Sequence, residues 1–327
     1  MQEKKYLNNE QIPLALAVFL ATDNYDHEEG VLSATSLIKP VRQLVLERRL
    51  KEQEAEPLLE DISGLVASRM GSAIHDAIER SWTVSPAAAL KALGYPQRVI
   101  DRIRVNPEKP EPNTIPIYME LRSYKQVGPF KVSGKFDFVG EGMVQDFKST
   151  GVFTFINQTN ADKYILQGSI YRWLNPDIIT RDVMWIHYIF TDWSKIDAMR
   201  NPKYPQSRTV SQKFQLLSYE QTDNYIKRKL SEVERLADAP DNEIPLCSSE
   251  DLWRTDPVYK YYKDPSKMTK STKNFDNLGE AAARQAKDGG KGIIKTVPGQ
   301  VKACRYCKCF SICGQKDALI KSGELVL

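Results

Sequence analysis

Asp137, Asp146 and Lys148 are the residues of this sequence best suited to do chemistry together. They lie in residues 133–150, SGKFDFVGEGMVQDFKST, which read as two adjacent strands joined by the turn Gly140-Glu141-Gly142. Asp137 falls on the first strand and Asp146 and Lys148 on the second. Side chains alternate along a strand, so residues two apart such as Asp146 and Lys148 face the same way. Two carboxylates brought together repel unless a cation lies between them. Mg²⁺ is the natural choice, because it takes one or two carboxylates and keeps positions for water and a phosphate. Lys148 would then orient or deprotonate an attacking water.

Helices must bring the remaining groups to that hairpin. Residues 61–82 carry an apolar stripe of Ile62, Leu65, Met70, Ile74, Ala77 and Ile78 at helical spacing. His75 and Glu79 are four apart on one face of this helix. Gly71, a poor residue for a helix interior, permits close approach of a neighbour. His75 is a candidate ligand. Glu79 either ligates through water or a second ion, or is a surface carboxylate paired with a nearby Lys or Arg. Glu120, on the strand before the hairpin, is a supporting acid. A second helix, residues 160–174, sets Gln167 and Tyr171 four apart on one face.

The other elements complete an α/β fold with a central mixed sheet flanked by helices. Residues 12–21 are an apolar run of helical length. Another helix starts near Ser36, with Ser33 or Ser36 as its cap. It carries Arg42, Arg48, Arg49 and Lys51, which read as a solvated basic face, the alternative being a track along a nucleic-acid backbone. A helix over 86–103, strands over 115–124, 184–190 and 213–217, and a helix over 218–237 follow. Three regions result: 1–60, N-terminal and helical; 61–240, the core; and 241–327, a basic extension.

The chain has 327 residues, 41% hydrophobic and 27% charged, the composition of a globular protein. It lacks an apolar run of about 18 residues and a signal-peptide pattern at its start, so a cytoplasmic location is expected, with no membrane partner. Residues 251–327 hold 15 Lys and Arg against 8 Asp and Glu, while the whole chain is only +4. That imbalance fits a polyanion partner or a solvated basic surface. No cysteine precedes Cys247; Cys304, Cys307, Cys309 and Cys313 then crowd together, more like a metal site than a disulfide framework.

Read in order, Gly71-x3-His75-x3-Glu79 on a helix, Gly134-x2-Asp137 on a strand, Asp146-x-Lys148 on the next, and Gln167-x3-Tyr171 on a helix form one series. It resembles the RecB-type branch of the PD-(D/E)xK nuclease superfamily. The resemblance covers roughly residues 33–236 and implies a restriction-endonuclease-like core. It implies metal-dependent hydrolysis of DNA, as an exonuclease in recombination, repair or phage DNA processing. His75, Asp137 and Asp146 would hold Mg²⁺ or Mn²⁺, Lys148 would serve the water, and Gln167 and Tyr171 would sit at the DNA or behind the ligands. The imidazole makes Mn²⁺ a good substitute. Partners would be DNA, single-stranded or as duplex ends, and a helicase or recombination protein. The alternative is a catalytically silent DNA-binding or scaffold module that keeps the fold.

The resemblance extends to the cysteines. Some RecB-type nucleases, CRISPR-adaptation exonucleases among them, hold a [4Fe–4S] cluster with one cysteine from before the core and three from a C-terminal C-x2-C-x5-C. Cys304, Cys307 and Cys313 match the second part, whereas Lys39 lies where the first cysteine is expected. Cys247 is the best substitute, and Cys309 would make the site local instead. Four thiolates suit zinc as well as a cluster. Between Cys247 and Cys304, the tyrosines Tyr259, Tyr261 and Tyr262 interleave with Lys263, Lys267, Lys270 and Lys273. Such a mixture suits single-stranded DNA, and equally an ordinary hairpin with a basic face.

Overall fold

The computed structural model describes residues 5–22, 28–52 and 59–326. The chain divides into two units, one of residues 1–38 and 57–230, the other of 39–56 and 231–327. Among the described residues no helix is long and apolar enough to cross a membrane.

The first unit is mixed α/β, built on a six-stranded sheet flanked by helices. Its strands are β1 (Ile103–Val105), β2 (Ile115–Met119), β3 (Phe138–Gly140), β4 (Met143–Thr150), β5 (Val183–Phe190) and β6 (Thr209–Gln215), in the spatial order β6-β5-β4-β3-β2-β1. β4 and β5 run parallel, as do β1 and β2, while β2-β3, β3-β4 and β5-β6 are antiparallel. The β3–β4 turn is Glu141-Gly142, both at positive φ (52° and 74°), the backbone that a two-residue hairpin demands.

Alternation along β5 sorts its residues cleanly. Met184, Ile186, Tyr188 and Phe190 are buried and join Val144, Phe136, Ile170 and Trp173 in the main core. That face is covered by α2 (Ala161–Leu174). On the opposite face α1 (Val66–Thr83) packs Ile78 and Trp82 against Ile117, Met119, Phe138 and Phe147.

Two expected strands are each cut in two, and the cuts create the site. The stretch expected as one strand over 115–124 leaves the central sheet after Met119 and resumes as Arg122–Val127 in a separate three-stranded sheet with Val31–Ser33 and Phe130–Lys135. The first strand of the expected hairpin is likewise divided into Phe130–Lys135 and β3. Glu120, at φ 50°, and Asp137 mark the two crossings, and the Glu120 N–H donates to the Asp137 carbonyl at 3.3 Å. Asp137 therefore sits on a bend rather than on a strand.

Other differences are local. The helix expected over 86–103 is two short ones, Pro86–Ala92 and Gln97–Ile100, parted by Gly94 at φ 85° and by Pro96, which cannot continue a helix. The helix expected near Ser36 is capped by Ser33, whose Oγ accepts the Ser36 N–H at 3.1 Å. It ends at Ile38, ahead of Pro40.

In the second unit, Val41–Glu52 carries the basic residues read as a solvated face, and two of them are not solvated. Arg42 is 1% exposed; it donates to the carbonyls of Asp241 and Ile244 and to the Asp241 carboxylate. Arg49 donates to the carbonyls of Leu236, Ala237 and Ala239. Only Arg48 and Lys51 are exposed. Guanidinium forks are here structural clamps on carbonyls, a use that the pattern of charges along a helix does not reveal. The unit also holds an antiparallel sheet in the order Lys273–Phe275, Val258–Tyr262, Ile293–Val297, with helix Leu278–Lys287 on one face. Of the tyrosines that suited single-stranded DNA and an ordinary hairpin equally, two are core: Tyr261 is 0% and Tyr262 7% exposed.

Candidate metal centre and cysteine cluster

Where the two sheets part, a cavity of about 520 Å³ opens in the first unit. His75, Glu120, Arg122, Lys135, Asp137, Asp146, Lys148, Gln167 and Tyr171 are among the residues lining it. One ligand atom each of His75, Glu120 and Asp137 lies within 4.8 Å of the others. Glu120, read from sequence only as a supporting acid, thus joins the group, because the break in its strand turns it toward Asp137. Glu79, one helical turn from His75, is neither in this trio nor among the cavity residues, although its charge is felt at Glu120 and Lys135.

The backbone of Phe147 organises the ligands. Its N–H donates to Asp137 Oδ2 at 3.0 Å, and its carbonyl accepts from His75 Nε2 at 2.8 Å. A carbonyl can only accept, so Nε2 carries the proton and Nδ1 is turned toward Asp137 Oδ2, 3.4 Å away. Burial disfavours the imidazolium, but the hydrogen bond and charge of Asp137 outweigh it and raise His75 to about 9. For Asp137, burial pushes upward and His75, Lys148 and the Phe147 N–H pull it below the usual carboxylate range. Gly71 lets α1 cross β4 closely: a Cβ there would lie 3.3 Å from Ser149 Oγ.

Asp146 is 1% exposed, and neither of its carboxylate oxygens makes a well-directed hydrogen bond. Its neighbour is the Lys148 ammonium, 2.5 Å from Oδ2. Burial, then the charge of Asp137, raises the Asp146 carboxyl to about 6. Burial opposes the charge on Lys148, yet Asp146 and Asp137 hold its pKa above the ordinary value. A deeply buried, poorly bonded carboxylate beside a His–Glu–Asp group fits a hard divalent cation.

Gln167 and Tyr171 are buried on α2, where Gln167 Nε2 donates to the Tyr171 hydroxyl at 2.8 Å. Gly134 makes room for Leu174 and Tyr171 of the same helix: a Cβ there would stand 2.6 Å from Leu174 Cδ1 and 3.0 Å from the Tyr171 ring.

In the second unit all five cysteines are reduced and unpaired. Cys247 and Cys304 pack against Leu252, Val301, Leu319 and Leu325. The charges of Cys307 and Cys313 are felt at both, and burial first of all drives Cys247 up to about 12. Cys309 is buried, with Sγ 3.6 Å from the Gln43 carbonyl. A hydrogen bond from Cys309 draws Cys307 down to about 6. The buried Arg42 Nε donates to Cys313 Sγ at 3.3 Å. Among the described residues the cysteines do not form a group of three donors within 4.8 Å of one another, as His75, Glu120 and Asp137 do.

No family model matches the sequence, and no curated protein does. Among solved structures, the chain is similar to the crystal structure of SSO0001 over 69% of its own length and 90% of that chain, at 16% identity and a TM-score of 0.37. It is similar to a phage related exonuclease from Haemophilus somnus 129PT over 39% of its length and 63% of that chain, at 18% identity and a TM-score of 0.26. At such distances neither likeness assigns an activity.

Proposed function

We propose that this chain is a divalent-cation-dependent deoxyribonuclease, acting as an exonuclease on single-stranded DNA or duplex ends. The observation that carries the reading is the meeting of His75, Glu120 and Asp137 within 4.8 Å in a cavity that Asp146 and Lys148 also line. His75, Glu120 and Asp137 would hold Mg²⁺ or Mn²⁺, with Asp146, which lies outside that trio, as a further ligand. The cation would neutralise a phosphate oxygen and lower the pKa of a bound water. Phe147 fixes the orientation of His75 and Asp137 through its backbone C=O and N–H. Lys148 holds a positive charge beside Asp146, where it can orient a water or a phosphate oxygen. Gln167 and Tyr171, bonded to each other, wall the cavity on the α2 side and face the DNA or support the ligands.

In the second unit Cys247, Cys304, Cys307 and Cys313 would hold a [4Fe–4S] cluster, zinc being the alternative. The setting would be cytoplasmic, in recombination, repair or phage DNA processing, alongside a helicase or recombination protein. The test is end-labelled single- and double-stranded DNA incubated with the purified protein and Mg²⁺ or Mn²⁺, with products sized. Shortening that stops when the cation is chelated is expected. DNA bound but intact under every cation would favour a silent binding module instead.

A further inference from the structure

The small sheet of the second unit sets two lysines against each other. Lys260, on Val258–Tyr262, is directly opposite Lys295, on Ile293–Val297, and has Asn274 on its other side. Directly opposed residues hold their Cβ atoms about 4.5–5.5 Å apart, and like charges so placed are destabilising. Among the described residues neither lysine takes part in an ion pair; Lys295 is exposed and Lys260 half-buried.

Alternation explains which face they share. Tyr261 and Phe275 turn inward onto Ala281 of helix Leu278–Lys287, so Lys260 turns outward. The connection between the first two strands adds Lys263, Lys267 and Lys270, and Lys291 precedes the third strand at the same end. The acids close by are engaged: Asp264 with Ser266 and Lys267, and Asp288 with Arg284.

We propose that this outward face binds the sugar–phosphate backbone of duplex DNA, Lys260 and Lys295 each meeting a phosphate. The choice of DNA as the polyanion rests on the nuclease reading; the choice of duplex rests on the sheet. Unpaired bases are held by exposed rings, whereas Tyr262, the tyrosine of this strand that shares the Lys260 face, is 7% exposed. The face therefore offers charge without stacking. A compact ammonium acts as a point charge toward phosphate. The Lys260–Lys295 repulsion weakens the free protein and is relieved when phosphates arrive.

The experiment uses full-length protein with EDTA and a fluorescein-labelled short duplex, read by anisotropy from about 50 to 200 mM salt. Replacing both lysines (Lys260→Gln with Lys295→Gln) should flatten the dependence of log affinity on log salt by about 2, one for each phosphate that is no longer neutralised. The same variant should melt no lower than the parent, because the repulsion is gone. Lys260→Arg with Lys295→Arg should keep the parental slope. An unchanged slope in the glutamine variant overturns the proposal, as does the same flattening in the arginine variant, which would mean packing. Tighter binding of the matching single strand, with the same lysine dependence, overturns the choice of duplex. Parental DNA binding without cleavage under any cation would sink the nuclease reading alone. Cleavage by the parent with an unchanged slope in the glutamine variant would sink this one alone.

Discussion

His75 and Asp137 are held by the backbone of one residue: the Phe147 carbonyl accepts from the imidazole at 2.8 Å and the Phe147 N–H donates to the carboxylate at 3.0 Å. The residue that does this lies between Asp146 and Lys148. The β4 backbone thus positions the groups of α1 and of the bend with two successive peptides, and presents its own acid and amine with its side chains.

The first prediction is a pH dependence. His75 is raised from 6.5 to about 9, so its bond to Asp137 stabilises the cation-free protein fully below about 6.5 and is lost as pH rises through about 9. Asp146, raised to about 6, is penalised when ionised, which also lowers stability as pH rises through about 6. The melting temperature without cation should therefore fall between about pH 6 and 9, and saturating Mn²⁺ should flatten that fall. Because the cation displaces the His75 proton, Mn²⁺ affinity measured by EPR should climb up to roughly tenfold per pH unit over this range. A flat affinity profile would rule out His75 as a ligand.

Asp146→Asn should abolish cleavage and leave DNA binding intact or slightly tighter, since a phosphate-repelling charge is gone. Lys148→Met should also lose cleavage, by about 10²-fold or more, while cation affinity is kept. Single-turnover assays at saturating Mn²⁺ separate these effects. A Lys148 variant that loses the cation but turns over normally when saturated would give the lysine a structural role only.

Gly134→Ala should destabilise the first unit by about 1–3 kcal/mol, the usual range for forcing atoms into a packed core. The new methyl would meet Leu174 Cδ1 at 2.6 Å and the Tyr171 ring at 3.0 Å. Urea unfolding followed by tryptophan fluorescence measures it; an unchanged midpoint would show that α2 yields freely.

Arg42→Met should cost the second unit about 3 kcal/mol, the lower end for a broken buried pair, because Asp241 keeps 38% of its side chain in water. Arg42→Lys should recover little, since a single ammonium cannot serve the Asp241 carboxylate, two carbonyls and Cys313 together. Limited proteolysis of residues 231–327 reports the outcome, and parental resistance in both variants would refute it.

Anaerobically purified protein should be brown and absorb broadly in the visible if Cys247, Cys304, Cys307 and Cys313 hold an iron–sulfur cluster, and colourless with bound zinc otherwise. Cys313→Ser should lose the metal. Cys309→Ser should keep it if Cys247 is the fourth ligand. Metal analysis that finds neither element would return the cysteines to plain thiols, and the nuclease proposal would stand unaffected.

What could be read from residues alone was periodic and local. The α/β class, the shared direction of Asp146 and Lys148, and the pairing of Gln167 with Tyr171 follow from helix and strand repeats, which neighbours in sequence dictate. The place of Glu120 does not. It joins His75 and Asp137 because two strands cross from one sheet to another side by side, at Glu120 and at Asp137. That crossing depends on hydrogen-bonding partners far along the chain. Arg42 is a sharper case: its position on a basic helix suggests solvent, yet its fork closes on Asp241 and Ile244, about 200 residues away. Tyr261 likewise reads as a surface ring until helix Leu278–Lys287 covers it. Periodicity determines which residues share a face; only tertiary packing decides whether that face meets water, a core or a ligand, because burial is set by whatever distant segment comes to lie upon it.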